Sequence, residues 1–278
     1  MPPTTAPPDN DVLWTRGLHH AYGGSPALQG ITLGVREGEI LSVTGPRGSG
    51  KTTLLRCLSA QLATQQGEVW FNSVPLHTLG PTPRERLRRA RFGWIGCSPE
   101  LVPELSAWEN AALPLLLAGE RHKAARTAAR EWLERLDVGS CARKRPEALL
   151  QSERQRVAVA RALVHGPAVL FADEPTAPLH QADRAQVLRT LTTAARSHRI
   201  TVVMATHDSA ATADDGTSPT ALVDRTVRLA DGRQVSAAAP VGGADGAAAQ
   251  SGTGDPSAAE APPSAESPED RAACSASA

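Results

Sequence analysis

The segment GPRGSGKTT combines residue types and spacing that suit phosphate binding. Gly45, Gly50, Lys51 and Thr52 satisfy the pattern G-x-x-x-x-G-K-[S/T]. Glycines let backbone N–H groups wrap two phosphates, a lysine reaches the outer phosphates, and a hydroxyl is placed to ligate Mg²⁺. A glycine-rich turn beside a surface lysine is the alternative. The expected binding residues are Gly45, Pro46, Arg47, Gly48, Ser49, Gly50, Lys51, Thr52 and Thr53.

Two carboxylates follow the apolar run from Ala168 to Ala172. The C-terminal end of a buried strand is where α/β sheets place ligand chemistry. Asp173 would hold Mg²⁺ through water, and Glu174 would orient or deprotonate an attacking water. Taken alone, a strand that ends in a solvated turn explains the pair equally well.

A third strand, Ile200 to Thr206, is followed by His207 and Asp208. His207 could act as a neutral donor or proton relay for a γ-phosphate. A lone histidine at a strand end is usually structural, but the two neighbouring phosphate elements favour the functional interpretation.

The elements that must position these groups alternate along the chain. The strand-like Ile40 to Thr44 precedes the glycine-rich loop, and the helix-like Thr53 to Leu62 follows it. Further helical patterns cover 121–136 and 182–197. This alternation predicts an α/β fold with a mainly parallel sheet covered by helices.

The length, composition and charge of the chain exclude several classes of protein. The 278 residues, 41% of them hydrophobic, suffice for a buried core, and 29 basic residues balance 29 acidic ones. No global charge favours nucleic acid, so none is expected as a partner. Four dispersed cysteines indicate reduced thiols and a cytosolic location. Neither a signal peptide nor a membrane span is apparent, so another chain would do any membrane crossing.

Order is predicted only for the middle of the chain. Residues 1–11 are rich in Pro and Thr, and residues 236–278 consist mostly of Ala, Gly, Pro, Ser and acidic residues. Both ends are expected to be disordered, which leaves a domain at 12–235. The acidic tail is a solvated spacer or, less commonly for such composition, an interaction segment.

Across about 12–235 the chain resembles the ATP-binding subunit of an ABC transporter. The resemblance is carried by HAYGG, GPRGSGKTT, RQRVAVARALVHGPAVLFADEPT and MATHD. It implies a P-loop NTPase fold with flanking helices, an antiparallel N-terminal β subdomain and a helical subdomain at about 97–165. A soluble P-loop kinase or mechanoenzyme would not explain RQRVAVARAL before the acidic strand.

The resemblance also implies roles. ATP and Mg²⁺ are the expected ligands, with Lys51, Glu174 and His207 catalytic, and with Thr52 and Asp173 at the metal. Tyr22 would stack on adenine, unless it is a packed core aromatic. The middle segment ELSAWENAALPLLLAG is similar to the lipoprotein-release, macrolide-export and cell-division branch. A membrane permease partner and a peripheral position on the inner face of the plasma membrane follow from the resemblance.

Three sequence elements expected from the resemblance to the ABC transporter family are altered in this chain. The L-S-G-G-Q signature, which family members donate across a dimer to the other subunit's γ-phosphate, is replaced by Leu149, Leu150, Gln151, Ser152 and Glu153. Side chains in place of glycine obstruct close approach, and losing the serine removes a hydrogen bond to a charged group. Cys97 stands where a glutamine is expected, and His180 where an aspartate is expected. Metal binding by Cys97 and His180 is disfavoured because no ligand spacing supports it.

Two functions therefore remain open. One is an active ATPase subunit that drives a permease; the other is a nucleotide-binding regulatory or scaffold subunit with little turnover. The chain would form a homodimer or a heterodimer with a second ATP-binding subunit, and the altered signature favours the asymmetric arrangement.

Overall fold

The computed structural model describes residues 11–177, 179–206 and 222–235. These ranges all belong to one unit, Met1–Ala237. The predictions for His207 and for the tail from 236 onward lie outside the described residues. Within the predicted disordered start, Asp11 already belongs to the first strand.

A four-stranded antiparallel sheet forms the N-terminal β subdomain that the resemblance implied. Its strands are β1 (Asp11–Tyr22), β2 (Ser25–Arg36), β4 (Gln66–Phe71) and β5 (Val74–Pro75), in the order β2-β1-β4-β5. Gly23 and Gly24, both with positive φ, form the tight turn between β1 and β2. This turn places Tyr22 at the end of β1.

A six-stranded sheet carries the phosphate-binding elements, in the order β10-β9-β3-β8-β7-β6. Every neighbouring pair is parallel except β9 and β10, which confirms the mainly parallel sheet. The strands are β3 (Ile40–Thr44), β6 (Phe92–Ile95), β7 (Val169–Asp173), β8 (Thr201–Thr206), β9 (Arg225–Ala230) and β10 (Arg233–Val235). Thr44 pairs with Thr206, and Ala205 with Asp173, so the C-terminal ends of β3, β8 and β7 meet at one edge.

The helices are α1 (Lys51–Leu58), α2 (Pro81–Arg91), α3 (Ala107–Leu117), α4 (His122–Arg135), α5 (Gln151–Leu163) and α6 (Gln181–Ser197). The patterns at 121–136 and 182–197 thus correspond to α4 and α6. The prediction for α1 was wrong at both ends. This helix starts directly at Lys51 and stops at Leu58, because Ala60 takes a left-handed backbone with φ of 57° that an α-helix cannot continue.

Helix α5 begins at Gln151 and so includes the last three residues of the altered signature, Gln151, Ser152 and Glu153. The Glu153 carboxylate accepts a hydrogen bond of 2.8 Å from the backbone N–H of Leu150. This contact satisfies one donor at the helix start and lets the helix begin without a side-chain cap from Leu150.

The six-stranded sheet separates two apolar clusters. Successive residues of β7 point to opposite faces, so Leu170 and Ala172 join one cluster while Val169 and Phe171 join the other. The strand is buried on both faces, which explains its uninterrupted apolar sequence. One cluster contains residues of α3, α4 and α5, and the other contains residues of α1 and the antiparallel sheet.

Candidate functional site

The glycine-rich loop connects β3 to α1 and approaches other backbone closely at two glycines. A Cβ on Gly45 would lie 2.2 Å from the carbonyl oxygen of Leu229, and one on Gly50 would lie 2.4 Å from that of Ala27. Gly50 also has a φ of 97°. Both positions therefore require glycine for reasons of packing and backbone conformation.

Lys51 is the first residue of α1, and only 5% of it is exposed. Its ammonium donates to the carbonyl oxygens of Gly45 at 2.8 Å and Pro46 at 3.0 Å. The same Nζ lies 3.8 Å from Glu174 Oε1. Burial lowers the pKa of Lys51, and the nearby carboxylates of Glu174 and Asp173 oppose that shift.

Thr52 and Asp173 meet although 121 positions separate them in the sequence. The Thr52 hydroxyl donates to Asp173 Oδ1 at 3.0 Å. Burial raises the pKa of Asp173, whereas the hydrogen bond from Thr52 counteracts the rise. A hydroxyl and a carboxylate at this distance form the oxygen-donor pair that a hard divalent cation prefers.

Glu174 leaves β7 through a left-handed backbone conformation, with a φ of 50°. Its backbone N–H donates to Ala205 O at 2.9 Å, which ties the residue to β8. A non-glycine residue adopts this conformation at an energetic cost, and such strain is often found at functional sites. The turn sends the Glu174 side chain toward Lys51.

A groove of about 510 Å³ brings most of the predicted residues together. Its lining comprises Tyr22, Ala27, Arg47, Gly48, Gly50, Lys51, Thr52, Thr53, Cys97, Asp173 and Glu174. Tyr22 is 49% exposed and packs edge-on against His20 at 4.8 Å between ring centroids. Half of the Tyr22 surface is therefore accessible for stacking.

Three predicted loop residues are absent from that lining. Gly45 and Pro46 supply the carbonyls that hold Lys51, and only 2% of Ser49 is exposed. The Ser49 hydroxyl has no hydrogen-bond partner among the described residues. Ser49 thus packs inside the loop, and its side chain is not part of the groove surface.

The altered signature segment does not line the groove. Leu150, just before α5, is 69% exposed, and Gln151 is exposed as well. Cys141 donates to Glu153 Oε1 at 3.0 Å, and this hydrogen bond is the main reason why the pKa of Glu153 is lowered. The segment presents apolar and amide side chains to its surroundings, without glycine.

The described ranges hold no group of three or more His, Cys, Asp or Glu side chains arranged to hold a metal ion. His180, at the altered position before α6, is exposed. In the same ranges, no helix has both the length and the apolar character that crossing a bilayer requires.

Sequence reasoning missed three polar residues of the helical region that hold the segment after β6. Asn110 is fully buried and bonds both the N–H and the carbonyl of Val102, at 2.8 and 3.0 Å. Gln155 is also fully buried, and Arg161 donates to two backbone carbonyls. For Asn110 and Gln155, the signal available in the sequence was a polar residue at a position that helical spacing assigns to the apolar face.

Comparison with known proteins agrees with this architecture. A profile of the ABC transporter family matches residues 28–177. The chain is 36% identical over 225 residues to the lipoprotein-releasing system ATP-binding protein LolD 2 of Caulobacter vibrioides, covering 80% of this chain and 95% of that one. It is 38% identical over 206 residues to the uncharacterized ABC transporter ATP-binding protein YbbA of Escherichia coli K12, covering 74% and 87%.

Among solved structures, the chain matches the dimeric ATP-binding cassette MJ0796 in a post-hydrolysis state bound to ADP and Pi. The TM-score is 0.70 at 28% identity, with 80% of this chain and 97% of that chain covered. Fold, groove and relatives agree, and the chain accordingly belongs to the ABC transporter family as an ATP-binding, ATPase-type subunit.

Proposed function

We propose that this chain binds Mg-ATP in the groove described above and positions the γ-phosphate for hydrolysis. The observation that carries the proposal is the contact of the Thr52 hydroxyl with Asp173 at 3.0 Å, beside a Lys51 ammonium 3.8 Å from Glu174. These four side chains come from two separate segments and converge on one groove.

Lys51 neutralises phosphate charge in this proposal. Its ammonium has three N–H donors, and two of them are directed at the Gly45 and Pro46 carbonyls. The remaining donor capacity is available for a phosphate oxygen. The low exposure of Lys51 strengthens its attraction for an anion, because a buried charge is weakly screened.

Thr52 and Asp173 fit Mg²⁺, because both offer hard oxygen ligands. When bound, Mg²⁺ would neutralise charge that develops on the β- and γ-phosphate oxygens. Asp173 must be ionised for this role. The hydrogen bond from Thr52 favours that ionised form against the opposing effect of burial.

Glu174 is the proposed general base or water-orienting residue. Its strained backbone and its bond to Ala205 hold it at the edge of the sheet, near Lys51. His207 is proposed to contact the γ-phosphate as donor or relay, and Tyr22 to stack on adenine with its exposed surface.

For the assembly, we propose a cytoplasmic subunit attached to a separate permease and paired with a second, different ATP-binding subunit. In a homodimer, both composite sites would combine an intact Lys51 and Glu174 with the altered segment at Leu150 to Ser152. With an ordinary second subunit, one site would receive a glycine-containing signature from that partner. The relatives LolD 2 and YbbA support the transporter role, and the altered α5 start supports the asymmetry.

A regulatory subunit with slow turnover is the second candidate, and Cys97 is the observation that favours it. Cys97 lines the groove at the position where the family resemblance places a glutamine. A neutral thiol is a poor ligand for hard Mg²⁺ and offers only a weak donor to water.

Replacement of Lys51 tests the proposal. We expect Lys51→Ala to abolish binding of a fluorescent ATP analogue in titrations with the purified chain, because the groove then loses its buried cation. Lys123→Ala, which removes an exposed lysine of α4, is the matched control and should bind normally. Unchanged affinity of a folded Lys51→Ala protein, as judged by its melting curve, would rule out the proposed groove.

A further inference from the structure

The turn between β9 and β10 is hydrogen-bonded to the edge of the antiparallel sheet. Asp231 and Gly232 form this turn with φ of 48° and 74°, the left-handed conformations that a two-residue hairpin turn requires. Strand β2 is the last strand of its sheet, and an edge strand presents unpaired backbone groups on its outer side. The backbone N–H of Gln29, in β2, donates to Gly232 O at 2.7 Å. The hairpin turn therefore covers part of the β2 edge.

The side chain of Gln29 completes this attachment. Its Nε2 donates to Asp231 O at 2.8 Å, and its Oε1 accepts a hydrogen bond of 2.9 Å from the Arg233 guanidinium. Gln29 thus bonds three consecutive residues of the hairpin, two through its side chain and one through its backbone. A primary amide suits this task because it carries donors and an acceptor at the same end. We call these three contacts the Gln29 brace.

The same turn contacts the glycine-rich loop. The Gly232 N–H donates to Ser49 O at 3.2 Å. A Cβ on Gly232 would lie 2.7 Å from Ala27 O, the same carbonyl oxygen that Gly50 approaches. Strand β2, the hairpin turn and the glycine-rich loop therefore pack around one carbonyl group, and Ala27 lines the nucleotide groove.

The bond to Ser49 O affects the next peptide group of the loop. In a trans peptide, the C=O of one residue and the N–H of the following residue point in opposite directions. Holding Ser49 O on the Gly232 N–H therefore fixes the orientation of the Gly50 N–H. Gly50 lines the groove, and backbone N–H groups of such a loop are the donors that bind phosphate.

We propose that Gln29 is a positioning residue for the nucleotide. It holds the β9–β10 turn, the turn holds Ser49 O, and the Gly50 N–H is thereby kept in the orientation that a phosphate needs. The role in nucleotide binding rests on the proposed function, whereas the ordering of the glycine-rich loop does not. Gln29 is not among the residues that line the groove, so it acts through the hairpin.

Hydrogen exchange of the full chain without nucleotide tests the ordering of the loop. The N–H groups of Ser49 and Gly232 are both hydrogen-bonded, so their exchange reports local opening. We expect Gln29→Met, which removes both side-chain bonds, to speed exchange at these two amides roughly tenfold. Exchange in β7, which is buried on both faces, should stay unchanged. Gln186→Met, at an exposed position of α6, is the matched control and should alter neither segment.

A purely structural role gives a different pattern. If Gln29 only stabilises the fold, exchange rises equally at Ser49 and in β7, or does not rise at Ser49; either result overturns the proposal. Arg233→Met is the second variant if Gln29→Met does not fold. It removes one bond of the Gln29 brace at an exposed position, so we expect a smaller acceleration at the same two amides, and unchanged exchange at both overturns the proposal.

Binding of the fluorescent ATP analogue tests the role in nucleotide binding. We expect Gln29→Met to weaken binding by roughly fivefold or more at temperatures well below melting, and saturating nucleotide to slow Gly232 exchange in the unsubstituted protein, because coupling between two sites is reciprocal. Unchanged affinity in the variant, or unchanged Gly232 exchange in a protein that binds the analogue, overturns this role.

Failure of the proposed function is visible separately. If the unsubstituted chain does not bind the analogue, the proposed function is lost. The exchange rates of Ser49 and Gly232 measured without nucleotide still decide whether the Gln29 brace orders the glycine-rich loop.

Discussion

The groove around Lys51 and the start of α5 are built in opposite ways. In the groove, the reactive side chains are fixed: Lys51 by two carbonyls, and Asp173 by the Thr52 hydroxyl. At the start of α5, Leu150 projects outward and side chains replace glycine. Under the proposed function, the chain keeps the groups for its own nucleotide and lacks the glycines that the family resemblance places at the start of α5. A composite site can lose one half while the other half stays complete.

The largest expected effect concerns the groove around Lys51. Glu174→Gln should reduce ATP hydrolysis by roughly 10²–10⁴-fold, the usual contribution of general acid–base catalysis. ATP affinity should persist because Lys51 and Asp173 are unchanged. Single-turnover phosphate release and a binding titration on the same preparation separate the two effects.

Glu131→Gln, at an exposed position of α4, is the control for Glu174→Gln. Equal hydrolysis by the Glu174 variant and this control would show that the groove does not use Glu174 as a base. The groove could then no longer be contrasted with the start of α5 as the catalytically intact region.

A smaller effect, a gain in ATP turnover, is expected from restoring the family signature at the start of α5. The combined change Leu150→Ser, Gln151→Gly and Ser152→Gly restores a hydroxyl just before α5 and glycines at its first two positions. A regained hydrogen bond to a charged phosphate is worth about 1.5–3 kcal/mol, which corresponds to a roughly ten- to hundredfold rise in turnover by the isolated chain. Steady-state phosphate release measures it.

Fast turnover by the unsubstituted chain, with no gain from the triple change, would contradict the asymmetric assembly. A gain in turnover from Cys97→Gln alone would instead show that Cys97, which lines the groove, is what limits turnover. The two variants together therefore identify which departure from the family pattern matters.

The smallest expected effect is on stability. Burial raises the pKa of Asp173 in the folded chain, so its charged form opposes folding above that pKa. Asp173→Asn should therefore raise the melting temperature at neutral pH, by roughly 2–4 °C for each kcal/mol relieved. The difference should shrink as the pH falls through the raised pKa of folded Asp173 and vanish below the ordinary pKa of 3.8, where Asp173 is protonated in both the folded and the unfolded chain.

Calorimetry of both proteins between pH 7 and about pH 4 tests whether the substitution raises or lowers the melting temperature. A variant that melts below the original protein at neutral pH would mean that the hydrogen bond from Thr52 outweighs the cost of burial.

Local patterns predicted some elements and missed others for identifiable reasons. Strands β3 and β7 were recognisable because both faces are buried and the apolar runs are unbroken. The end of α1 was misplaced because the left-handed Ala60 has no sequence signature. No conventional cap marks the start of α5 in the sequence, because the Glu153 carboxylate accepts a hydrogen bond from the Leu150 N–H there.

The site was predictable where a motif defines it, as in the loop from Gly45 to Thr53. The attachment of Arg161 to Pro99 was not, since it spans 62 positions and depends on how α5 packs beside β6. No local pattern in the sequence identifies the carbonyls that Arg161 meets.

The close approaches at Gly45 and Gly50 have a consequence for interpreting experiments on this loop. The atoms that exclude a side chain there are the carbonyls of Leu229 and Ala27, which belong to the protein itself. The curvature of the loop is therefore a product of folding, and under the proposed function ATP binds without the entropic cost of shaping the loop. Alanine at either glycine would disturb strand neighbours before any ligand is added, so lost binding in such a variant would measure a damaged scaffold, whereas Lys51→Ala measures the missing charge.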